Sequence, residues 1–430
     1  MPYNPPVPAR AFRLLLHHSA VQALAAAAGD VETHLVGGVL RDRALGLPLK
    51  DIDAVVASRG REIAERLAET LPARLVLLGG KEFAAYRLVT EELDVDLWDR
   101  DGTTLDQDLA RRDFTVNSFA LEVRSGALID PFDGVRDLER RLLKATTPES
   151  FSGDPLRVLR LPRLLLRLPG FAADPETVEL ARRSVPRLTD VAAERVRDEL
   201  TFILESPEAH RGVALLIALD VYPGLWLGTP GERLPAGTAL SEVEALVERI
   251  HDLRLQDAEA AGQVDARIAR LAALFRNLSQ KTPQGTLREV LVRFRDQGYL
   301  TRQTADDVAH VLELGFLPES DLDLRRFLHR AGRLWATAFC ALGARMAARK
   351  EGLDRWQAVL PRLTDLARRE GEVLFDPPRL VTGADVQELL GIPPGKEIGR
   401  VLDAVREAQV EGRVRTREEA VAVVRGMVRE

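Results

Sequence analysis

A single cysteine, Cys340, occurs in 430 residues. That excludes an intramolecular disulfide and suits a reducing cytosol. No apolar run approaches the roughly 20 residues that span a bilayer. The N-terminal "ARAFRLLLHHSAVQALAAAAGD" faintly imitates a signal peptide, but His17 and His18 interrupt its apolar centre. It reads as a first amphipathic helix. Excess positive charge is also lacking: the formal net charge is −6 and the isoelectric point about 5.8, so the overall charge gives no hint of nucleic acid. Neither a Walker lysine motif nor G-x-G-x-x-G is present, which excludes P-loop and Rossmann dinucleotide sites. The chain has no internal repeat and no low-complexity tract.

What remains is an ordinary globular composition, 46% apolar and 29% charged. The length predicts about two to four domains. Charge is uneven along the chain. Asp154 to Arg197 holds nine Arg against six acids, and Asp321 to Glu370 holds eleven Lys+Arg against six, local excesses of +3 and +5. Such clusters mark either a polyanion-facing surface or merely solvated helix faces.

Residues 30 to 130 read as short strands and helices: "THLV", "DIDAVV", "ARLVLLGG", "AAYRLV", "LDVDLW", "SFALEV" and "ALIDPF" are β candidates, with "VLRDRALG" a helical turn between the first two. Beyond about residue 135 the strand signal disappears. Helical periods follow in "PLRVLRLPRLLLRL", "AAERVRDELTFIL", "LSEVEALVERI", "ARIARLAALFRNL", "LRRFLHRAGRLWATAFCALGARMAARK" and "ADVQELLG". "VYPGLWLGTPGERLPAG" reads as a linker or exposed loop. The expected architecture is α+β, a small α/β head on a long all-helical remainder.

Asp51 and Asp53 point the same way on a strand while Ile52 points into the core. Two nearby carboxylates repel, and Mg²⁺ relieves the repulsion because it takes hard oxygen ligands and substrate phosphate. Asp96 in "LDVDLW" is a third candidate, with Asp94 on the same face as its rival. Three carboxylates on neighbouring strands can hold two metals. Gly37 and Gly38 allow close approach of a ligand and expose amides at a helix start, where the dipole favours anions. A phosphate cradle opposite a metal pair is what a nucleoside triphosphate needs. An isolated D-x-D is more often a solvated strand face, so the glycines decide the weighting.

Taken together, "LVGGVLRDRALGLPLKDIDAVV" resembles the first motif of the class II tRNA nucleotidyltransferases, the CCA-adding enzymes and related poly(A) polymerases. "RRDFTVNSFA" resembles the family's ribonucleotide-selecting motif, "DPFDGVRDLERRLLK" its hinge, "GDPLRVLRLPRLLL" its protein template and "ERVRDEL" the helix supporting that template. "LVTGADVQELLGIPPGKEIGRVLDAV" resembles its tail. The resemblance implies a DNA polymerase β-like nucleotidyltransferase head at 1–145, a helical neck with the template at 146–205, a body at 206–330 and a tRNA-binding tail at 331–430. It implies that Asp51 and Asp53 bind Mg²⁺ with Asp96 as third catalytic carboxylate, and that Gly37, Gly38 and Arg41 contact the triphosphate. Arg112, Asp113 and Asn117 would recognise ribose and phosphates. Asp154 and Arg157 would read the base edge, with Arg160 and Arg163 toward the phosphates. Three apart on one helix, Asp154 and Arg157 combine an acceptor with a planar donor fork. Otherwise they make an i,i+3 ion pair.

Two departures stand out. Gly153 replaces the template motif's usual glutamate, which should loosen Arg157, and Pro162 should kink the helix or remove a hydrogen bond. Where some relatives carry an H-D metal pair, Arg276 and Asn277 stand, neither a hard-metal ligand; His251-Asp252 is a chance dipeptide. Between Arg100 and Arg111 lies only "DGTTLDQDLA", where relatives that add the terminal adenosine carry a longer flexible loop. The expectation is therefore a cytosolic CC-adding enzyme using CTP and the tRNA 3′ end. Full CCA addition follows as alternative, then A addition or poly(A) polymerase, and a non-catalytic RNA-binding protein on a decayed fold is the rival from another class. Basic helices around Arg325, Arg326, Arg330, Arg333, Arg345, Arg349 and Lys350 are the tRNA-contact candidates.

Overall fold

The computed structural model describes residues 9–78, 85–100, 102–221, 263–279 and 287–427. Most of the "VYPGLWLGTPGERLPAG" segment, the "LSEVEALVERI" helix, His251-Asp252 and the end of "ARLVLLGG" lie outside them. The chain forms two compact units, residues 1–196 with 218–225 and residues 197–217 with 226–430.

In the first unit the β candidates become a mixed seven-stranded sheet. Its strands are β1 (Thr33–Val36), β2 (Asp51–Val56), β3 (Arg74–Leu78), β4 (Ala85–Val89), β5 (Asp94–Asp99), β6 (Ala120–Glu122) and β7 (Leu128–Ile129), in spatial order β3-β4-β5-β2-β1-β6-β7. The apolar content of the two central strands accounts for their place: Leu35, Val36, Ile52, Ala54, Val55 and Val56 are all fully buried. Antiparallel pairing of β1 with β2 puts the exit of β1 beside the entry of β2, so the glycine pair lands next to the D-x-D carboxylates. Parallel pairing of β2 with β5 sets Asp51 opposite Asp94 and Asp53 opposite Asp96. The Gly60–Thr70 helix covers β3 to β5 with Ile63, Ala64 and Leu67, and Asp99 caps its first amide, Gly60 N to Oδ1 at 2.8 Å.

The "DPFDGVRDL" stretch is a clamp. Asp130 accepts from the Gly134 and Val135 amides at 2.8 and 2.9 Å, and Asp137 accepts from the Thr115 hydroxyl at 2.7 Å. A Cβ on Gly134 would lie 2.1 Å from the Thr115 carbonyl oxygen, so only glycine lets the Gly134–Arg140 helix seat against the Thr115–Asn117 turn. The strand signal does not end at residue 135: β8 (Leu142–Leu143) and β9 (Ala172–Ala173) form a two-residue parallel pair. Too short for any periodicity, it was invisible in the pattern. Pro162 is buried inside a helix that is continuous from Arg157 to Arg167, where it removes one N–H.

The second unit is helical throughout its described residues. The run expected as one helix, "LRRFLHRAGRLWATAFCALGARMAARK", is two, Asp321–Ala331 and Trp335–Arg349, separated at Gly332 with φ of 53°. Trp356 stacks on Phe339 at 5.0 Å between ring centroids and donates its indole N–H to the Phe339 carbonyl at 2.8 Å. The last three helices, Gly383–Leu390, Lys396–Val410 and Arg417–Gly426, share a valine-rich core around Val386, Val405 and Val424. Capping boxes at Thr382/Asp385 and Thr416/Glu419 start two of them.

Gly134→Ala is expected to destabilise the first unit by more than about 3 kcal/mol, because rigid backbone blocks the new methyl. Gly153→Ala, where a Cβ meets nothing within 4 Å, should be neutral or slightly stabilising. Denaturant melts of the two variants check the contrast, and equal melts would refute it.

Candidate active site

At the β1–β2 end of the sheet lies a cleft of about 370 Å³. The Arg157–Arg167 helix and the Arg111–Asn117 segment form its other walls. Gly37, Gly38, Arg41, Arg112, Asp113, Asn117, Asp154, Arg157, Arg160 and Arg163 all line it with Asp51 and Asp53, so the residues singled out by motif converge. Asp96 is the exception.

Gly37 has φ of 76°, the left-handed region that glycine enters without a Cβ penalty. Its missing side chain also makes room: a Cβ there would sit 2.8 Å from Asp53 Oδ2 and 3.1 Å from Arg112 Nη1. Gly38 opens the Gly38–Ala44 helix and lines the cleft with Gly37. Arg41 leaves that helix to donate from Nη1 to Asn117 Oδ1 at 2.5 Å, and Asn117 Nδ2 donates to Asp113 Oδ1 at 2.8 Å. Arg160 closes the chain with an ion pair to Asp113 Oδ2 at 2.8 Å. Burial alone would raise the Asp113 pKa. Arg160, the Asn117 amide and the Phe114 N–H outweigh it and hold the carboxyl below its ordinary value.

Asp53 behaves oppositely. Burial, then the neighbouring Asp51, pushes its pKa up to about 6, against the partial relief of Arg112 and Arg41. Among the described residues neither Asp51 nor Asp53 has an ion-pair partner. Every other carboxylate lining the cleft has an arginine: Asp42 with Arg41 and Arg167, Asp108 with Arg112, Asp113 with Arg160, Asp154 with Arg195. The charge left uncompensated therefore sits on two adjacent carboxylates beside a glycine cradle, a donor set that fits a hard divalent cation. Among the described residues no group of three His, Cys, Asp or Glu side chains forms a metal cage. Asp96 does not complete one, because Arg87 stands directly opposite it on β4 and grips it bidentately, Nε to Oδ1 at 2.7 Å and Nη2 to Oδ2 at 2.6 Å.

Comparison with known proteins fits this geometry. Residues 33–144 match the poly A polymerase head domain, and residues 170–226 match the probable RNA and SrmB-binding site of polymerase A. A CC-adding tRNA nucleotidyltransferase of a Synechocystis species is 31% identical, across 90% of this chain and 92% of its own. An A-adding tRNA nucleotidyltransferase of Deinococcus radiodurans is 33% identical, across 91% and 94%. The chain belongs to the CCA-adding family of tRNA nucleotidyltransferases. A solved Thermotoga maritima CCA-adding enzyme complexed with tRNA superposes with a TM-score of 0.63 at 25% identity, over 97% of this chain and 95% of that one. The expected fold, a nucleotidyltransferase head followed by helices, is the observed one.

Asp154 and Arg157, expected from the resemblance to read the base edge, are placed differently from the sequence reading. Asp154 is not on the helix with Arg157; it caps the short Ser150–Gly153 helix in extended geometry, and the next helix begins at Arg157. The i,i+3 argument therefore fails, although both side chains still face the cleft. Asp154 pairs with Arg195 at 3.0 Å. Nor is Arg157 loose for want of a glutamate at 153. Its guanidinium donates to the main-chain carbonyls of Ser150 at 2.8 Å, Arg112 at 3.2 Å and Arg111. Burial nonetheless lowers its pKa, with Arg160 and Arg112 adding to the effect against Asp113 and Asp154.

Sequence reasoning missed Asp42, Trp98, Asp108 and Arg167. Asp42, 3% exposed, accepts from Arg41 Nε at 2.8 Å and Arg167 Nη2 at 2.6 Å, tying the Gly38–Ala44 helix to the template helix. Arg112 lies over the Trp98 ring at 5.6 Å while paired with Asp108 at 2.9 Å. The signal for Arg167 was present, since it continues the arginine face of Arg160 and Arg163.

With a raised carboxyl pKa, the folded chain holds the Asp53 proton to about pH 6, whereas the unfolded chain releases it near the ordinary value. Folding stability from this group is therefore lost as pH rises through that window. Without divalent metal, Asp53→Asn should raise Tm near neutral pH by roughly 2–4 °C. The gain should fade on acidification, and added Mg²⁺ should raise Tm of the native chain but not of the variant. Calorimetry checks each part; an unchanged Tm in the variant would contradict the assigned repulsion.

Proposed function

We propose that this nucleotidyltransferase adds cytidines from CTP to the 3′ end of tRNA, stopping after CC and leaving the terminal A to another enzyme. The observation carrying the chemistry is the pair Asp51 and Asp53, without an ion-pair partner among the described residues in a cleft whose other carboxylates are all arginine-paired. These two would hold Mg²⁺, which when bound supplies activation of the attacking hydroxyl and stabilisation of the leaving pyrophosphate. Arg41, with the amides around Gly37 and Gly38, would receive the triphosphate tail. Arg112, Asp113 and Asn117 would orient ribose and phosphate, and Asp154 and Arg157 would meet the base edge. Arg160 and Arg163 would add positive charge toward the phosphates. Asp96 would join as third carboxylate only by leaving Arg87. Asp94, opposite Asp51, is its rival.

The CC subtype draws support from the segment after β5. Thr104 and Gln107 form a capping box that starts the Leu105–Ala110 helix five residues beyond Asp99–Arg100, and Asp108 then anchors Arg112. An ordered helix held at both ends takes the place of a long reshaping loop. A non-catalytic RNA binder is disfavoured by the same carboxylates, since binding RNA gives no reason to keep two unpaired acids together. The division into head, neck, body and tail at 1–145, 146–205, 206–330 and 331–430 belongs to this proposal, with the last two parts gripping tRNA by backbone charge and shape. Among the described residues no helix is long and apolar enough to cross a membrane.

The decisive experiment gives tRNA trimmed of its CCA end CTP alone, ATP alone, or both. Two added nucleotides with CTP and no third with ATP are expected; a third overturns the subtype. Asp51→Ala and Asp53→Ala should abolish turnover while tRNA binding survives, and loss of tRNA binding in both would reassign them to structure. Gly37→Ala should cut kcat/KM at least about 100-fold, because its methyl displaces Asp53 and Arg112 from their places.

A further inference from the structure

The basic run from Asp321 to Glu370 is largely neutralised. Arg325 pairs with Glu370, Arg326 with Glu411, Arg333 with Asp307, Arg355 with Glu319 and Arg362 with Asp321. Three of the seven tRNA-contact candidates named from sequence are among these. Arg330, Arg345, Arg349 and Lys350 make no ion pair among the described residues, so the run's residual charge is concentrated on them.

Two of these residues, Arg345 and Arg349, lie one turn apart on the Trp335–Arg349 helix. Arg345 donates to the Gly315 carbonyl at 2.7 Å, and Arg276, from the Ala266–Ser279 helix, donates to the Leu312 carbonyl at 2.9 Å. Both guanidiniums come within 3.6 Å of where a Gly315 Cβ would stand, and both line one cavity. Burial, then Arg345 and Arg349, pushes the Arg276 pKa down to about 10; burial, then Arg349, lowers that of Arg345. Beside them Phe316 is 37% exposed, with Arg330 over its ring at 5.7 Å.

We propose that Arg345 and Arg349, with Arg276 alongside, form a phosphate-binding site for the RNA backbone at the Leu314–Phe316 loop. Phe316 and Arg330 supply an adjoining stacking face. The site rests on the tRNA substrate proposed above. Closing the end of the Arg302–Glu313 helix explains where Arg276 and Arg345 point, yet one guanidinium suffices to cap a helix. Arg345 and Arg349, without an ion-pair partner among the described residues, repel each other and Arg276, and a phosphate would offset that repulsion. Phosphodiester rather than free anion is the chosen ligand because the site adjoins the Arg330–Phe316 pair, on which a base could stack and which a bare anion does not use.

The test is tRNA binding to the full chain as a function of salt. Each lost phosphate contact reduces the slope of log K against log salt by about 1. Arg349→Ala, at an exposed position with no capping role, should weaken binding about 3–10-fold and flatten the slope accordingly. Arg345→Ala/Arg349→Ala should flatten it by about 2. Arg355→Ala, which removes an ion-paired exposed arginine, should leave slope and affinity unchanged. CTP binding should be the same in all variants, and melts should show each folded. Unchanged slopes in both Arg349 variants, with the wild type binding tRNA normally, would overturn the site. So would stabilisation of the wild type alone by inorganic pyrophosphate with no change in the tRNA slopes, which identifies a small-anion site. If the wild type binds no tRNA at all, the functional reading itself falls, an outcome separable from both.

Discussion

Two carboxylates on one short strand, Asp51 exposed and Asp53 partly buried, constrain the cleft more than any other feature. Burial of Asp53 and the neighbouring Asp51 both disfavour its charged form, so a cation placed there would relieve both. The fold pairs an arginine with each of the other acids lining the cleft, whereas Asp51 and Asp53 make no ion pair among the described residues. Even Asp96, the acid in register with Asp53, is supplied by Arg87. The arginines are thereby fixed as a frame. Arg41, Arg112, Arg160 and Arg167 are each oriented by a carboxylate, and what stays unbalanced is local, adjacent and open to a cation. A polyphosphate entering against that frame brings negative charge to the arginines as the cation brings positive charge to Asp51 and Asp53.

Main-chain geometry rather than side-chain chemistry gives this frame its precision. Gly37 brings the main chain to within van der Waals reach of Asp53 and Arg112, and Gly134 does the same for the Thr115 carbonyl beneath Asn117. Arg157 is held by three carbonyls instead of by an acid. The cost of losing the glutamate expected at 153 is thus met by the backbone. The position itself is left open, with nothing within 4 Å of a Cβ there.

Much of this was legible in the sequence because the signals are local. Alternating apolar strands, the tight glycine pair and the D-x-D spacing each depend on neighbours a few residues away. The motif residues therefore converged as expected, apart from Asp96. What was not legible depends on partners distant in the chain. Nothing near Asp96 announces Arg87, because strand pairing decides that meeting. Asp42 and Arg167 are 125 positions apart. The helix break between Asp154 and Arg157 was hidden for a different reason: Pro155 suits the first turn of a helix as well as the boundary before one, so periodicity ran straight across it. In the second unit, counts of basic residues overstated the free charge, since acids from remote helices cancel most of it.

The same distinction bears on nucleotide choice. A site that must accept first one base and then another needs a reader that can change its hydrogen-bonding face. Arg157, the proposed reader, is tied to the main chain of the Arg111–Arg112 segment, which is itself anchored through Arg112 to Asp108 on a helix with a complete capping box. Moving Arg157 costs its hydrogen bonds to that segment, and moving the segment costs the Asp108 pair and the Arg112–Trp98 contact. Couplings of this kind raise the barrier to reshaping while leaving a single arrangement well populated. They support the proposed preference for one base, as does the brevity of the link between β5 and the Leu105–Ala110 helix.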